Sequence, residues 1–153
     1  MTDVTISRER FADAYPLVQA LLVRHHKEIA QDQDGRMPLD VDTARYQALD
    51  EAGILCLFLV RLDGVVIGYW VGFLWPHLHY KSTMVAMTDV YYLMPEHRKA
   101  GIGRAMFVAI EDELRALGAK KAFVQSKVYS DHSPLFESLG WVLTEITHSK
   151  WIG

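Results

Sequence analysis

The segment with the plainest chemistry runs Met94-Pro-Glu-His-Arg-Lys-Ala-Gly-Ile-Gly-Arg104. It brings three cations (Arg98, Lys99, Arg104) and two glycines (Gly101, Gly103) to the start of a stretch with helical periodicity. There Ile102, Met106, Ile110, Leu114 and Leu117 share one face, while Glu111, Asp112 and Arg115 share the other. A helix starting here presents unpaired backbone N–H groups and the positive end of its dipole to the preceding turn. Glycines let the backbone approach a ligand without a Cβ in the way. The spacing therefore predicts an anion cradle suited to phosphate. It matches neither the nucleotide P-loop G-x-x-x-x-G-K-[ST] nor the dinucleotide G-x-G-x-x-G, because arginine comes first and the glycines come late.

A second chemical residue lies just upstream. Asp89 interrupts the apolar, aromatic run Met87-Thr-Asp-Val-Tyr-Tyr92. Burial in such a strand would raise a carboxyl pKa toward the range useful to a general base. Other candidates have plainer readings. The His77-x-His79 pair and the other histidines lack any HExxH or Cys/His zinc spacing, so no metal is expected. Cys56 sits in an apolar run and reads as a buried thiol. Glu111-Asp112-Glu113 reads as a solvated helix face.

The elements that must position these residues can be read along the chain. Val4-Thr-Ile6 suits a short strand. Ala14, Val18, Leu21, Leu22, His25 and Ile29 have helical spacing, with Pro16 expected in the first turn. Gln31 to Pro38 reads as a loop, and a short helix follows from about Val41 to Ala52, capped by Asp40 or Asp42 and ended by Gly53. Ile54–Leu62 and Val65–Trp75 read as strands joined at Asp63-Gly64, a hairpin turn signal. Pro76–Ser82 reads as a loop and Thr83–Met94 as the strand that leads into the cradle. After the long helix come a strand over Ala122–Val128, a short helix over Ser133–Leu139, and a last strand segment from Gly140-Trp141 to Trp151. Strands alternating with helices in this order imply a mixed α/β sheet.

Arg98-x-x-Gly101-x-Gly103, in this strand–turn–helix setting, resembles the acyl-CoA motif of the GNAT superfamily of N-acetyltransferases. The helix order, the Asp63-Gly64 hairpin and the late Leu139-Gly140-Trp141 fit the same family across essentially the whole chain. The resemblance implies a single α/β domain over residues 1–153, with a mixed, mostly antiparallel sheet flanked by helices and splayed at the acyl-CoA site. It implies acetyl-CoA as cosubstrate, held by Leu93, Met94, Arg98, Lys99, Ala100, Gly101, Ile102, Gly103 and Arg104. A backbone N–H near Leu93 or Met94 would stabilise the reacting carbonyl oxygen. The implied reaction is direct acetyl transfer to a primary amine in a ternary complex, with Asp89 as general base. Trp75, His77 and Tyr80 fall in the neighbourhood that borders the family's acceptor pocket.

One departure from the family pattern is plain. Many members carry a tyrosine before the late glycine–aromatic pair, and here that position is Phe136. Tyr129 is the substitute phenol for protonating the departing thiolate, with His132 and Ser133 as weaker options. The missing hydroxyl also supports an alternative, a non-catalytic acyl-CoA-binding module on the same fold.

Composition limits the rest. The 153 residues are 50% hydrophobic, enough for a sizeable core. Net charge is −3, from 16 Lys+Arg against 19 Asp+Glu, which argues against nucleic acid or an anionic membrane as partner. One cysteine excludes an intrachain disulfide and suits a reducing, cytoplasmic setting. The longest apolar stretch, Val65–Trp75, is well short of the ~20 residues of a membrane-spanning helix. The expected partner is a small-molecule or peptide amine. A homodimer is a further expectation, since family members are often dimers and the final hairpin looks abbreviated.

Overall fold

The computed structural model describes residues 2–31 and 34–153. Val4–Arg8 (β1), Leu55–Leu62 (β2), Val65–His77 (β3) and Tyr80–Leu93 (β4) form successive antiparallel pairs, and Lys121–Phe123 (β5) adds to β4 in parallel. Strand β2 shows why both faces of this sheet are covered. Its side chains alternate, and every residue from Leu55 to Val60 is buried. Cys56, Phe58 and Val60 join the core under helix α3 (Ile102–Ala116), while Leu55, Leu57 and Leu59 join the core under helix α1 (Phe11–Ile29). A shorter α2 (Thr43–Glu51) follows α1, and α4 (Ser133–Ser138) closes the α3 side.

The helical spacings read from the sequence hold. Ala14, Val18, Leu21 and His25 are the buried stripe of α1, and Ile102, Met106, Ile110 and Leu114 that of α3. Fully burying one such aliphatic side chain contributes about 1.5–3 kcal/mol. Asp42 caps α2 by accepting the Arg45 N–H at 2.9 Å, as its residue type favours.

Four local expectations differ. Pro16 lies inside α1 rather than in its first turn, because the helix starts at Phe11. That early start has a tertiary cause: the buried Asp50 carboxylate accepts the Phe11 N–H at 3.1 Å and the Arg10 Nε–H at 2.8 Å. The expected Pro76–Ser82 loop shrinks to a turn at Leu78-His79, with strand on either side. Pro76 is tolerated there because β2 has already ended. The Leu74 N–H makes the last bond on that side, to Ile54, and position 76 has the same parity with nothing opposite. Strand β5 is three residues, not seven.

The last strand segment, expected from Trp141 to Trp151, is absent: residues 141–153 form neither helix nor strand. Trp141 is anchored by its indole N–H to Glu111 at 2.6 Å, and Arg36 of the α1–α2 loop stacks on Trp151 at 5.0 Å. Between them Val142, Leu143 and Ile146 are exposed. The three-residue β5 offers this segment little strand to pair with. The expected Gln31–Pro38 loop lies in part outside the described residues, at Asp32 and Gln33; residues 34–37 are turn and bend.

Candidate active site

The sheet opens beside the cradle. Strand β5 pairs with β4 only from Val85 to Met87, so from Thr88 to Leu93 β4 has no neighbour on that side. A groove of about 1220 Å³ fills the gap, lined by β4, the Arg98 side chain, residues 121–133 and the start of the C-terminal segment.

Backbone parity decides which groups of β4 face this groove. The Met94 N–H bonds the Ile67 carbonyl at 2.9 Å, on the β3 side. Leu93 and Tyr91 therefore turn their N–H and C=O groups the other way, toward the opening. Of the two backbone donors expected for the reacting oxygen, Met94 is already used inside the sheet, and the Leu93 N–H is on the open edge of β4.

The register of β3 with β4 slips once in this region. Val71 pairs with Val90 and Gly72 with Thr88, so Asp89 is the extra residue of a β-bulge. Gly72 makes the bulge sterically workable, since a Cβ there would lie 2.2 Å from the Trp70 ring and 2.8 Å from the Met87 carbonyl oxygen. Bulges re-aim side chains next to sites. Asp89 is exposed rather than buried as expected, and the Tyr46 hydroxyl from α2 donates to its Oδ2. Burial, and then this bond to Asp89, push the Tyr46 phenol well above its usual range, so it remains a donor.

At the cradle, α3 begins at Gly101, whose φ of +75° is left-handed, and no side chain among the described residues caps it. The Ala105 N–H bonds the Gly101 carbonyl, leaving the N–H groups of Ile102, Gly103 and Arg104 ahead of the first helical bond. A Cβ at Gly101 would meet nothing within 4 Å, and one at Gly103 only Leu135 at 3.7 Å. The turn thus leaves open space in front of aligned donors, as a diphosphate requires. Lys99 and Ala100 are exposed beside it, while Ile102 is buried as an anchor.

The two arginines differ from a free cationic rim. Arg98 donates through both guanidinium nitrogens to Glu28 of α1, at 2.6 and 2.8 Å, and through Nε to the Leu93 carbonyl at 2.8 Å. It also stacks on Tyr92 at 5.6 Å. The Glu28 carboxyl is held below its usual range by this bond. Arg98 therefore fastens α1 to the end of β4. Arg104 reaches Ser138 of α4, 3.0 Å away.

A second cavity, about 310 Å³, lies on the α1 and α2 side of the sheet. It adjoins the groove: His25, Ile29 and Val90 line both. Its floor includes a buried polar pair, His25 Nδ1 and the Tyr69 hydroxyl, 2.7 Å apart. Burial lowers the His25 pKa to about 4, so the ring is neutral at pH 7.

The structure brings Asp89, Arg98 and Tyr129 to one groove, while Leu93, Met94 and residues 99–104 lie outside its lining. The Tyr129 hydroxyl donates to the Ile29 carbonyl at the end of α1. Phe136 is buried, its ring 5.9 Å from that of Tyr91. The Tyr91 hydroxyl donates to the Gln125 carbonyl at 2.9 Å and lies 3.0 Å from His132 Nδ1. Burial raises the Tyr91 phenol to about 12 and lowers His132. The structure does not bring Trp75, His77 and Tyr80 to this place. They cluster at the far end of the β3–β4 hairpin, Trp75 on Phe73 and Tyr80 on His77, and line neither cavity. Tyr46, Glu28 and the His25–Tyr69 pair were not singled out from sequence as site residues. Among the described residues no group of three or more His, Cys, Asp or Glu could hold a metal ion, and no helix is long and apolar enough to cross a membrane.

The profile of the Acetyltransferase (GNAT) family matches residues 18–141. The chain belongs to that family. Solved structures of similar fold are spread across its substrates. An aminoglycoside acetyltransferase from an uncultured soil metagenomic sample, in complex with sisomicin, superposes with TM-score 0.73 at 16% identity, covering 97% of this chain and 95% of that one. Ribosomal-protein-alanine N-acetyltransferase from Brucella melitensis biovar Abortus gives 0.73 at 18% identity, covering 99% and 100%. Glucosamine-6-phosphate N-acetyltransferase from Arabidopsis thaliana gives 0.70 at 11%, covering 99% of each chain. At such identities the likeness shows the fold. No curated protein is similar at a significant level. The open β4–β5 edge and the cradle at Gly101 are this GNAT chain's version of the mixed sheet expected from its sequence.

Proposed function

We propose that this GNAT protein, acting as a single domain, transfers an acetyl group from acetyl-CoA to a primary amine. The observation that carries the reading is the meeting of two cavities at Val90, beside the Asp89 bulge. One cavity runs along the open edge of β4 as far as Arg98 and suits the cofactor; the other opens on the α1–α2 side and suits the acceptor. Acetyl-CoA bound in the groove supplies a thioester as the electrophile.

This chain's residues then have separable tasks. The backbone from Lys99 to Arg104 holds the diphosphate through its N–H groups, with Lys99 and Arg104 adding charge. Arg98 shapes the cradle by fixing it to α1 through Glu28. The Leu93 N–H points toward the charge that develops on the carbonyl oxygen. A free alkylamine is mostly protonated at neutral pH, so a base must take its proton before attack. Asp89, reached directly or through one water, is that base. The amine nitrogen bonds the acetyl carbon as the C–S bond breaks. Tyr129, bonded to Ile29 where the cavities meet, is the phenol placed to return a proton to sulfur.

The test is release of CoA thiol from acetyl-CoA across a panel of amines, for the wild type and Asp89→Asn. Amine-dependent release that falls at least 100-fold in the variant supports the reading. Phe136 supports a second reading, a module that binds acyl-CoA without turnover. Saturable binding with no release for any amine would favour it.

A further inference from the structure

The acceptor cavity is unlike a site for a polar polyamine. Its walls are mainly Phe11, Tyr15, Val18, Leu57, Val71 and Val90. Phe11 stacks on Tyr15 at 5.2 Å and on Tyr46 at 5.4 Å, giving one aromatic wall. The carboxylates on its lining are Asp40 and Asp42, both on the α1–α2 connection, and Asp42 is already used as the α2 cap. The floor polar pair, His25 and Tyr69, is satisfied internally and is neutral. A polycation entering here would lose its hydration with few charged partners to replace it.

Size points the same way. At about 310 Å³ the cavity is at the small end of ligand pockets, which run from about 300 to 1,000 Å³. A single ring with a short chain suits that end of the range better than a multi-ring amino sugar. Polarity within the cavity is also graded. The aromatic wall ends at Tyr46, whose hydroxyl is bonded to Asp89 on the groove side. A molecule with an apolar ring at one end and an amine at the other satisfies both ends at once.

We infer that the acceptor of this enzyme is an arylalkylamine, its ring against the Phe11–Tyr46 wall and its primary amine directed to Asp89. This deepens the acetyltransferase reading and rests on it. Two N–H protons leave the ammonium: one passes through Asp89 to solvent before attack, and the second is lost as the C–N bond forms and the C–S bond breaks, matched by the proton that sulfur gains. The products are an N-acetyl arylalkylamine and CoA thiol. Burying a phenyl ring in an apolar pocket contributes a few kcal/mol, about 100-fold or more in kcat/KM.

The experiment compares kcat/KM, by thiol release, for 2-phenylethylamine, tyramine, ethylamine, spermidine, kanamycin, glucosamine 6-phosphate and an alanyl peptide. Acetyl-CoA binding is measured separately by calorimetry. The expected result is a preference of at least 100-fold for the aryl amines over ethylamine and over every polar acceptor. Val71→Phe and Leu22→Phe, each filling part of the cavity, are expected to raise KM for the aryl amines at least 10-fold. Far-UV circular dichroism and acetyl-CoA affinity, each expected to match the wild type, control for folding of both variants. Preference for kanamycin, spermidine, the phospho-sugar or the peptide overturns the inference while the acetyltransferase reading stands. No turnover of any amine with acetyl-CoA still bound overturns both the inference and catalysis. No acetyl-CoA binding removes the reading on which the inference rests.

Discussion

Tyr46 and Asp89 stand 43 positions apart in sequence and are joined by one hydrogen bond, phenol to carboxylate. The bond ties α2, which borders the acceptor cavity, to the bulge that turns Asp89 out of β4. Asp89→Asn is expected to lower kcat by about 10²–10⁴. Because Asp89 is exposed, the melting midpoint should barely move, by less than about 0.5 kcal/mol in stability terms. Tyr46→Phe removes the donor that holds the Asp89 side chain against α2, and should cost less activity than Asp89→Asn. Steady-state rates between pH 5 and 9 check both statements.

The Arg98–Glu28 pair makes a different prediction. An arginine that only met phosphate would matter only when ligand is bound. This one holds α1 to the Leu93 carbonyl in the protein itself. Glu28→Gln and Arg98→Lys are each expected to cost about 1–3 kcal/mol, since they leave a half-buried charge poorly paired. Urea unfolding without any cofactor measures this. An unchanged midpoint in both variants would return Arg98 to the role of a simple ligand cation.

His25 predicts an acid dependence of stability. Its pKa is lowered from 6.5 to about 4, first by burial, with Arg98 and His26 adding to the shift and Glu28 opposing it. For a base with a depressed folded pKa, the unfolded state binds more protons between the two values. Its contribution is therefore complete above about pH 6.5 and is lost as pH falls toward 4, by about 3 kcal/mol in all. Glu28, whose carboxyl is held low by Arg98, adds a loss in the same direction but below its ordinary value of 4.5. Unfolding free energies at half-unit steps from pH 4 to 7.5 should show the slope, and His25→Phe should flatten it.

The C-terminal segment predicts self-association. Val142, Leu143, Ile146 and Ile152 are 79%, 75%, 76% and 94% exposed, an apolar run with no paired strand beside it. Light scattering is expected to give a dimer mass for the wild type and a monomer mass for Leu143→Asp/Ile146→Asp. A monomeric wild type at tens of micromolar would exclude the dimer.

Local chemistry carried much of this structure. The spacing of α3, the Asp42 cap and the Asp63-Gly64 turn are each set by near neighbours, so they were legible residue by residue. The cradle was legible for the same reason: Gly101 sits at the helix start its neighbours define. What the sequence hid depends on distant partners. Asp50 starts α1 early from 39 positions away, and Glu28 claims Arg98 from 70. The bulge at Asp89 depends on the fit of Gly72 to Met87 across two strands. A register slip between strands leaves no periodic mark in either one. The hairpin residues Trp75, His77 and Tyr80 were placed near the acceptor by analogy of order along the chain, whereas the cavity proposed for it meets β3 at its middle, at Tyr69 and Val71.

The central claim is that the turn at Gly101 holds acetyl-CoA. The most direct measurement is a thermal melt of wild type and Gly101→Glu with and without saturating acetyl-CoA. The space around Gly101 lets the variant fold at a modest cost, about 1–2 kcal/mol for a side chain at positive φ. Its carboxylate would stand where the diphosphate belongs. The account predicts a rise of several degrees in the wild type, as mass action requires of a native-state ligand, and none in the variant. Equal shifts in both, or no shift in the wild type, would contradict it.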